Sequence, residues 1–323
     1  MRAIVVQEHG GPEVLRLAQW PDPEAGPGQV VVRVAAAGVN FIDIYQCTGV
    51  YPVPVPFVPG GEGAGTIVAV GPGVTDFTVG DAVAWAGSGG SYAELAAVPA
   101  SALVRVPDGM GPRLAAAACL QGLTAHYLCR STFPVADGTV AVVHAAAGGV
   151  GLLLTQLIKR LGGTVVATTS GGPDGQKAAL ARGAGADHVV GYDAFVAKAH
   201  EVTEGHGADV VYDGVGAATF DDSLKALRPR GLLALFGASS GQVPPFDPQR
   251  LNSGGSLFLT RPTLGNYIAD PGELAWRAGE LFGWIAGGEL NVRIGGEYPL
   301  ADAPRAQEDL AGRRTTGKLL LIP

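Results

Sequence analysis

Residues 139–170 read TVAVVHAAAGGVGLLLTQLIKRLGGTVVATTS, and this stretch decides the fold. The run 139–144 is short, apolar and rich in β-branched side chains, which indicates a strand buried on both faces. A glycine cluster at 148–151 follows directly, and 152–161 then has the composition of a helix. Because a second buried strand begins at 165–167, the stretch predicts a βαβ unit with a glycine turn after its first strand.

The glycine turn has the features of a pyrophosphate site. Unpaired N–H groups and the helix dipole favour an anion at a helix N-terminus, and missing side chains let the backbone approach it. Gly148 and Gly151 take the second and third glycine positions of the pattern G-x-G-x-x-G, whereas Ala146 takes the first. An ordinary tight turn is the alternative, but the flanking strand and helix favour a dinucleotide site.

The composition describes a globular chain with a large core and many turns. Of the 323 residues, 47% are hydrophobic and only 16% are charged, so a sizeable core is expected and disorder is disfavoured. The 50 glycines and 23 prolines predict frequent tight turns. The net charge of −7, without a cluster of Lys or Arg, disfavours a nucleic-acid or anionic-membrane partner.

The cysteines and the apolar runs bear on the compartment. Cys47, Cys119 and Cys129 form no C-x-x-C pair, and their odd number argues against a disulfide framework, as expected in a reducing, cytoplasmic setting. The first residues, MRAIVV, predict a strand and lack the apolar core of a signal peptide. No apolar run approaches the roughly 18 residues of a membrane span, so no membrane partner is expected.

The chain before residue 120 has the pattern of short strands separated by Gly and Pro turns. This pattern predicts a twisted, partly barrel-shaped β domain. An alanine-rich helix pair is predicted over 111–130, with a break near Gln121-Gly122. The predicted strands are Arg2–Val6, Glu13–Leu17, Gln29–Ala36, Gly65–Val70, Ala82–Ala84 and Tyr92–Val98.

From Gly138 onward, strand patterns alternate with helix patterns. Six strands are predicted when the two in the opening stretch are included, which indicates an α/β fold with a doubly wound six-stranded parallel sheet. A final strand pattern at Lys318–Ile322 is expected to return to the first domain, which would make that domain discontinuous. The other four strand patterns are His188–Val190, Asp209–Asp213, Leu232–Phe236 and Ser256–Thr260.

The segment about 20 residues after the glycines bears on the choice of cofactor. NAD-preferring folds place an acidic residue there, which binds the ribose 2′-hydroxyl. This chain has Thr168, Thr169 and Ser170 instead, so no fixed negative charge would meet the 2′-phosphate of NADP. Lys177 follows and suits a phosphate by its charge, although a solvated surface lysine is the alternative. The pattern favours NADPH, and nearby Asp174 would reduce that selectivity.

Further motifs extend over nearly the whole chain. They are GGPEVL at 10–15, NFID at 40–43 with Tyr45 and Tyr51, AAAGGVG at 145–151, YDGVG at 212–216, GLLALFG at 231–237, RP at 261–262 and GKLLLIP at 317–323. Together they resemble the zinc-free quinone oxidoreductases, the zeta-crystallin-like branch of the medium-chain dehydrogenase/reductase superfamily. The resemblance implies a GroES-like catalytic β domain over 1–122 and 264–323, and a Rossmann NADPH-binding domain over 123–263.

Zinc alcohol dehydrogenases of the same superfamily hold catalytic zinc with a Cys, a His and a second Cys. At the matching positions this chain has Asn40, Gly61 and Gln121, and the four-cysteine structural lobe is absent. Thiolates and imidazoles are the ligands that zinc needs, and amides are poor substitutes. The sequence therefore predicts a protein without a metal site. Asp43 and Glu62 remain nearby, but two carboxylates without His or Cys are expected to be structural.

The resemblance implies NADPH-dependent reduction of small quinones, by hydride or single-electron transfer. Reduction of α,β-unsaturated carbonyls such as enals, enones or enoyl thioesters stays open as the enzymatic alternative. A structural or RNA-binding role, as in crystallin-like relatives, is the non-enzymatic one. A homodimer joined through the strand at 255–260 is also implied, and the apolar run Leu257-Phe258-Leu259 at an expected sheet edge agrees with it.

The resemblance also implies which residues form the site. The catalytic group around the nicotinamide and the acceptor is Asn40, Tyr45, Tyr51 and Gln121, although either tyrosine alone is equally compatible with a core position. The resemblance places Lys177, Tyr192 and Arg313 at the 2′-phosphate. The full set of cofactor-binding residues is Asn40, Thr124, Tyr127, Gly148, Gly149, Val150, Gly151, Ser170, Gly171, Lys177, Tyr192, Gly216, Phe236, Gly237, Phe258, Thr260 and Arg313.

Overall fold

The computed structural model describes residues 1–323. The chain folds into two compact units, one formed by Met1–Leu123 with Tyr267–Pro323 and the other by Thr124–Asn266. The strands are β1 Arg2–Val5, β2 Arg16–Gln19, β3 Gln29–Val39, β4 Glu62–Val70, β5 Ala82–Ala86, β6 Leu95–Pro99, β7 Leu103–Arg105, β8 Val140–Val143, β9 Thr164–Thr168, β10 His188–Val190, β11 Ala208–Asp213, β12 Leu227–Leu235, β13 Phe258–Thr260, β14 Ile294–Pro299 and β15 Lys318–Ile322. The α-helices are α1 Phe41–Cys47, α2 Pro112–Tyr127, α3 Gly149–Arg160, α4 Gln176–Gly183, α5 Phe195–Val202, α6 Phe220–Lys225, α7 Gln249–Ser253, α8 Leu264–Tyr267, α9 Pro271–Ala286 and α10 Ala303–Ala311.

The first unit is built on a mixed seven-stranded sheet. Its strands follow the order β14-β15-β3-β4-β5-β7, with β6 paired to β3 off this path. The end strands β14 and β7 do not pair, so the sheet is not a closed barrel. The last strand, β15, lies antiparallel to β3 and parallel to β14, so the end of the chain lies in the sheet of the first unit. Buried Val32, Ile67, Trp85 and Leu321 are among the side chains of its core.

The second unit contains six parallel strands in the order β10-β9-β8-β11-β12-β13. Numbered by appearance within the unit, this is the order 3-2-1-4-5-6 of a doubly wound dinucleotide-binding sheet, as predicted. Val142, Val166, Val211 and Leu233, one from each of the four central strands, are buried in its core. The order reverses between β8 and β11, and ligands of such sheets bind at that switch point, outside the carboxyl ends of the strands.

Three local predictions were wrong. Helix α2 runs unbroken to Tyr127 and continues as a π-helical turn over Leu128–Thr132. The predicted break at Gly122 is instead a packing site, because a Cβ there would lie 2.6 Å from the side chain of Leu281 on α9.

The other two differences concern strands. The predicted strand Glu13–Leu17 is a 3₁₀ turn over Pro12–Val14 followed by β2, because Pro12 fixes a φ that suits a turn. The predicted strand Ser256–Thr260 is confined to β13, since Ser256 has a φ of 58°. None of the helices combines the length and the apolarity needed to cross a membrane.

Candidate functional site

The glycine turn lies at the switch point, between the end of β8 and the start of α3. Gly148 is the N-cap of α3, and no side chain caps the helix, so the first-turn N–H groups of Gly149 and its neighbours face outward without a capping side chain. A Cβ on Gly151 would lie 2.5 Å from the carbonyl oxygen of Ala145, so only glycine fits there. A Cβ on Gly148 would meet only that oxygen, at 3.2 Å. The turn therefore offers open backbone at a helix N-terminus, which fits a pyrophosphate.

The end of β9 holds the residues expected at the ribose. Lys177, in the first turn of α4, donates a hydrogen bond from its ammonium to the Ser170 hydroxyl at 2.9 Å. A Cβ on Gly171 would have open space on all sides. Ser170 is exposed and Lys177 is half-buried, so a hydroxyl and an ammonium lie side by side on an accessible surface. This pair fits a 2′-phosphate by charge and by donor count.

The loops after β11 and β12 lie against each other. Asp213, at the end of β11, accepts hydrogen bonds at one carboxylate oxygen from the backbone N–H groups of Val215 (2.8 Å) and Gly216 (2.9 Å). Gly216 has a φ of 92°, which favours glycine. A Cβ on Gly237, after β12, would lie 2.5 Å from the carbonyl oxygen of Gly214. These glycines let two loops approach closely beside the glycine turn.

The other predicted cofactor residues are more dispersed. The ring of Tyr192, after β10, lies 5.7 Å from the ring of His144, at the carboxyl ends of the strands. Thr124 and Tyr127, on α2, are buried. Their contact with a cofactor stays a prediction.

Phe236, Phe258, Thr260 and Arg313 complete the set. Phe236 packs over Gly214, where a Cβ would lie 2.8 Å from its ring. Thr260 ends β13 opposite Ala234 on β12, whereas the side chain of Phe258 is 60% exposed at the sheet edge. Arg313 follows α10 in the first unit, with a φ of 56°.

The first unit contains a buried polar cluster around Asn40. The side-chain oxygen of Asn40 accepts a hydrogen bond from the Lys318 ammonium at 2.7 Å. The side-chain nitrogen of Asn40 donates to Glu62 at 2.9 Å and to the Gly38 carbonyl at 3.3 Å. Lys318 also forms an ion pair with Glu62, and both side chains are fully buried. The Asn40 amide nitrogen therefore donates both of its hydrogens within the cluster, whereas its oxygen accepts one hydrogen bond there and has capacity for a second.

Asp43 joins this cluster to the start of α1 and to β4. Its carboxylate accepts from the backbone N–H groups of Asn40 (2.9 Å) and Gly61 (3.0 Å) and from the Tyr92 hydroxyl (3.0 Å). Burial raises the pKa of Asp43 to about 6, against the opposing effect of these hydrogen bonds. A buried carboxyl with three donors fixes the local backbone.

The three positions that hold zinc in metal-dependent relatives meet at this cluster. Glu62 accepts hydrogen bonds from the Asn40 amide and from the backbone N–H of Leu120, at 2.9 and 2.6 Å, and Gln121 is the next residue of the chain. No three His, Cys, Asp or Glu side chains converge as a metal would require. Two amides and a glycine do not fit zinc.

Tyr45 and Tyr51 form an aromatic pair on α1 and the loop that follows it. Their rings meet edge to face with centroids 5.7 Å apart, and the Tyr51 N–H donates to the Tyr45 carbonyl at 3.0 Å. Tyr51 is 42% exposed, and Val50 and Val55 beside it are also exposed. Tyr51 is therefore an accessible hydroxyl within an apolar surface.

Sequence reasoning missed two sets of buried polar residues. The sequence predicts Lys318 only as part of a strand and His144 only as the end of one. Lys318 lies 256 residues from Glu62, and His144 lies 24 residues from Thr168 and 79 from Ser223, so no local pattern could have paired them. The one signal in the sequence was a charged or imidazole side chain within an otherwise apolar strand pattern, because such a side chain needs a polar partner when it is buried.

Two family models match the chain: the alcohol dehydrogenase GroES-like domain over residues 26–108 and the zinc-binding dehydrogenase over residues 149–268. The quinone oxidoreductase of Pseudomonas aeruginosa is 45% identical over 100% of this chain and 99% of its own length. The chain belongs to the quinone oxidoreductase family of the medium-chain dehydrogenase/reductase superfamily.

A solved structure extends the comparison. Quinone oxidoreductase of Escherichia coli, solved in complex with NADPH, is 40% identical, has a TM-score of 0.96 and covers 100% of both chains. A 2-haloacrylate reductase from a Burkholderia species is 38% identical over 99% of this chain and 98% of its own length. Membership in the quinone oxidoreductase family confirms the identification from motifs. It also shows that the family contains reductases of different acceptors.

Proposed function

We propose that the protein reduces small quinones with NADPH and without a metal. The observation that supports this most directly is the donor set at the zinc positions, where Asn40, Gly61 and Gln121 stand in a cluster that already contains the Lys318 ammonium. Such a site cannot stabilise an alkoxide through a Lewis acid. A quinone does not require it, because its reduced form is a delocalised phenolate.

The second unit supplies the cofactor site. The glycine turn and the N-terminus of α3 bind the pyrophosphate, and Lys177 with Ser170 binds the 2′-phosphate. NADPH, when bound, supplies the hydride that adds to the quinone, whose oxygen then takes a proton from a donor or from water. The protein's part is to hold the cofactor and to exclude side reactions.

The first unit supplies the groups for the acceptor. Tyr51 presents an accessible hydroxyl, which can donate to a quinone oxygen as negative charge develops on it. The edge-to-face contact with Tyr45 fixes the orientation of the Tyr51 ring. A weak donor of this kind suffices for an acceptor that is easily reduced, so Tyr51 is expected to help turnover and not to be indispensable.

Turnover with the purified protein tests this assignment. We expect NADPH oxidation with 1,4-benzoquinone, no oxidation of simple alcohols with NADP, and a modest loss of turnover in Tyr51→Phe. Strong alcohol oxidation would refute the metal-free assignment. An enal or a 2-haloacrylate preferred over every quinone would select the second candidate, reduction of α,β-unsaturated carbonyls, which the Burkholderia relative favours. Absence of turnover with every acceptor would favour the non-enzymatic role.

We further propose that the protein is a homodimer, that it binds no nucleic acid and that it works in the cytoplasm. The edge strand β13 and the exposed Phe258 support the first of these. The net charge of −7 supports the second. The three cysteines are buried and form no disulfide, which agrees with the third.

A further inference from the structure

His144 is held at both nitrogens of its ring in the second unit. It follows β8 and is 1% exposed. Its Nδ1 lies 2.9 Å from the Thr168 hydroxyl at the end of β9, and its Nε2 lies 3.0 Å from the Ser223 hydroxyl on α6. Phe195 meets the ring edge to face at 4.6 Å. The imidazole therefore has a fixed position and a fixed plane.

The direction of the hydrogen bonds follows from Ser223. Its hydroxyl donates to Asp213 at 2.9 Å, so its oxygen is left to accept from His144 Nε2–H. Nδ1 then accepts from the Thr168 hydroxyl. This is a neutral imidazole in one tautomer, and burial agrees with it by lowering the pKa of His144 to about 4. This His-Ser-Asp chain of hydrogen bonds is not a catalytic triad, because the Ser223 hydroxyl donates to the carboxylate and not to the imidazole, so the imidazole does not activate the serine as a nucleophile.

The chain of hydrogen bonds continues into a loop of the cofactor site. One oxygen of the Asp213 carboxylate accepts hydrogen bonds from the hydroxyls of Ser223 (2.9 Å) and Thr219 (2.7 Å). The other oxygen accepts from the backbone N–H groups of Val215 and Gly216. The ends of β8, β9 and β11 are thus linked through side chains. All three ends border the place where the sheet binds its ligand.

The residue directly after His144 has an unfavourable backbone conformation. Ala145 has a φ of 50°, in the left-handed region that residues with a Cβ avoid. This conformation lets its carbonyl oxygen accept from the Gly148 N–H at 2.8 Å and lie against Gly151. The neighbouring N–H groups are also fixed, that of His144 to the Tyr212 carbonyl at 3.1 Å. Such a conformation persists only where its surroundings enforce it.

We propose that His144 is a positioning residue for the cofactor: its ring, held between Thr168 and Ser223, keeps Ala145 in the left-handed conformation and so fixes the glycine turn. The inference rests on the proposed function, since the turn is taken to bind NADPH. It gives the buried imidazole a part in binding that does not involve contact with the cofactor.

A double-mutant cycle on neighbouring residues tests this role. Equilibrium binding of NADPH is measured by fluorescence, without a quinone, for wild type, His144→Leu, Ala145→Gly and the double variant. We expect His144→Leu to weaken binding about tenfold, the factor that corresponds to the cost of a left-handed alanine. Ala145→Gly alone should change binding less than about twofold, because its conformation is already enforced. In the double variant glycine should restore most of the affinity.

A matched control separates positioning from general loss of structure. His200, in the same unit, also has both ring nitrogens close to backbone carbonyl oxygens, those of Gly205 (3.1 Å) and Lys225 (3.0 Å). His200→Leu should leave NADPH binding unchanged. If His144→Leu does not fold, Ser223→Ala keeps the ring and removes one partner, and its weaker binding should likewise be rescued by Ala145→Gly.

The outcomes distinguish this inference from the proposed function. Wild type that binds NADPH, with a His144→Leu defect that Ala145→Gly does not relieve, would overturn the positioning role alone. Unchanged binding in His144→Leu or in a folded Ser223→Ala would do the same. Wild type that does not bind NADPH would overturn both.

Discussion

The ammonium of Lys318 lies 2.7 Å from the side-chain oxygen of Asn40, and it also pairs with Glu62, with all three side chains buried. Lys318 is thus a fixed internal cation beside Asn40, one of the positions that the resemblance matches to a zinc ligand. Gly38 has no side chain because a Cβ there would overlap Glu62 and Lys318. The Lys318 ammonium supplies the counter-charge of the buried Glu62 carboxylate.

Loss of this cation should destabilise the first unit. Lys318→Met leaves Glu62 buried without a counter-charge, so we expect the free energy of unfolding to fall by about 3–5 kcal/mol. Urea denaturation measures this, and the double variant with Glu62→Gln should regain part of the loss. The exposed pair of Arg2 and Glu94 is the control, because Arg2→Ala should cost at most about 1 kcal/mol. An equally small effect of Lys318→Met would contradict the argument.

Cofactor selectivity should depend on Lys177. Lys177→Ala removes a charged donor from the expected 2′-phosphate site, which is worth about 1.5–3 kcal/mol, or roughly a 10- to 150-fold rise in the KM for NADPH. The KM for NADH should hardly change, because NADH lacks the phosphate. Lys198, paired with Glu201 in the same unit, is the control, and Lys198→Ala should affect neither cofactor. Equal losses for NADPH and NADH would show that Lys177 lies away from the phosphate.

The edge strand β13 should join two copies of the chain. We expect light scattering to give twice the chain mass of 32.7 kDa. Phe258→Asp places a charge on the exposed edge and should produce a monomer. Val79, another exposed apolar residue at 64% exposure, is the control, since Val79→Asp should leave the dimer intact. A monomeric wild type at working concentration would refute the dimer.

The second unit should lose stability in acid because of His144. Burial lowers the pKa of His144 from 6.5 to about 4, so unfolding between these values takes up a proton. The contribution of His144 to the free energy of unfolding is therefore complete above pH 6.5 and is lost as the pH falls toward 4. Unfolding free energies from pH 4 to 7 should decline less steeply in His144→Leu than in wild type. Parallel profiles would contradict this reading.

Asp43 should give the stability of the first unit a pH dependence of the opposite sign. Burial raises its pKa from 3.8 to about 6, so the folded state holds a proton that unfolding releases. Its contribution is present below pH 3.8 and is lost as the pH rises through about 6. Asp43→Asn, which does not titrate, should remove this part of the pH dependence. Acid should consequently favour unfolding of the second unit before the first, which hydrogen exchange can resolve.

Local pattern was enough to predict the parallel sheet and the glycine turn. The residues 139–170 specify strand, turn and helix by short-range chemistry, and Gly148 and Gly151 have the structural roles that their spacing indicates. The same reasoning failed at Gly122, which packs closely against the side chain of Leu281, a residue far along the chain.

The polar clusters could not be predicted for the same reason. Lys318 meets Asn40 across 278 residues, and His144 meets Ser223 across 79. Their partners are set by sheet order and by strand register, which single-sequence patterns do not contain. Motif resemblance identified Asn40 and Gln121 as important positions, but not the buried Lys318 ammonium that contacts Asn40.

The position of β15 between β14 and β3 bears on how the protein is made. Residues 124–266 contain the whole parallel sheet, so this unit can fold during synthesis once they have left the ribosome. The segment 1–123 is made earlier, yet β3 lacks its neighbour and Glu62 lacks its counter-charge until residue 318 emerges. The part of the chain that is translated first is therefore expected to mature last, with an open strand edge that nascent-chain chaperones would have to protect.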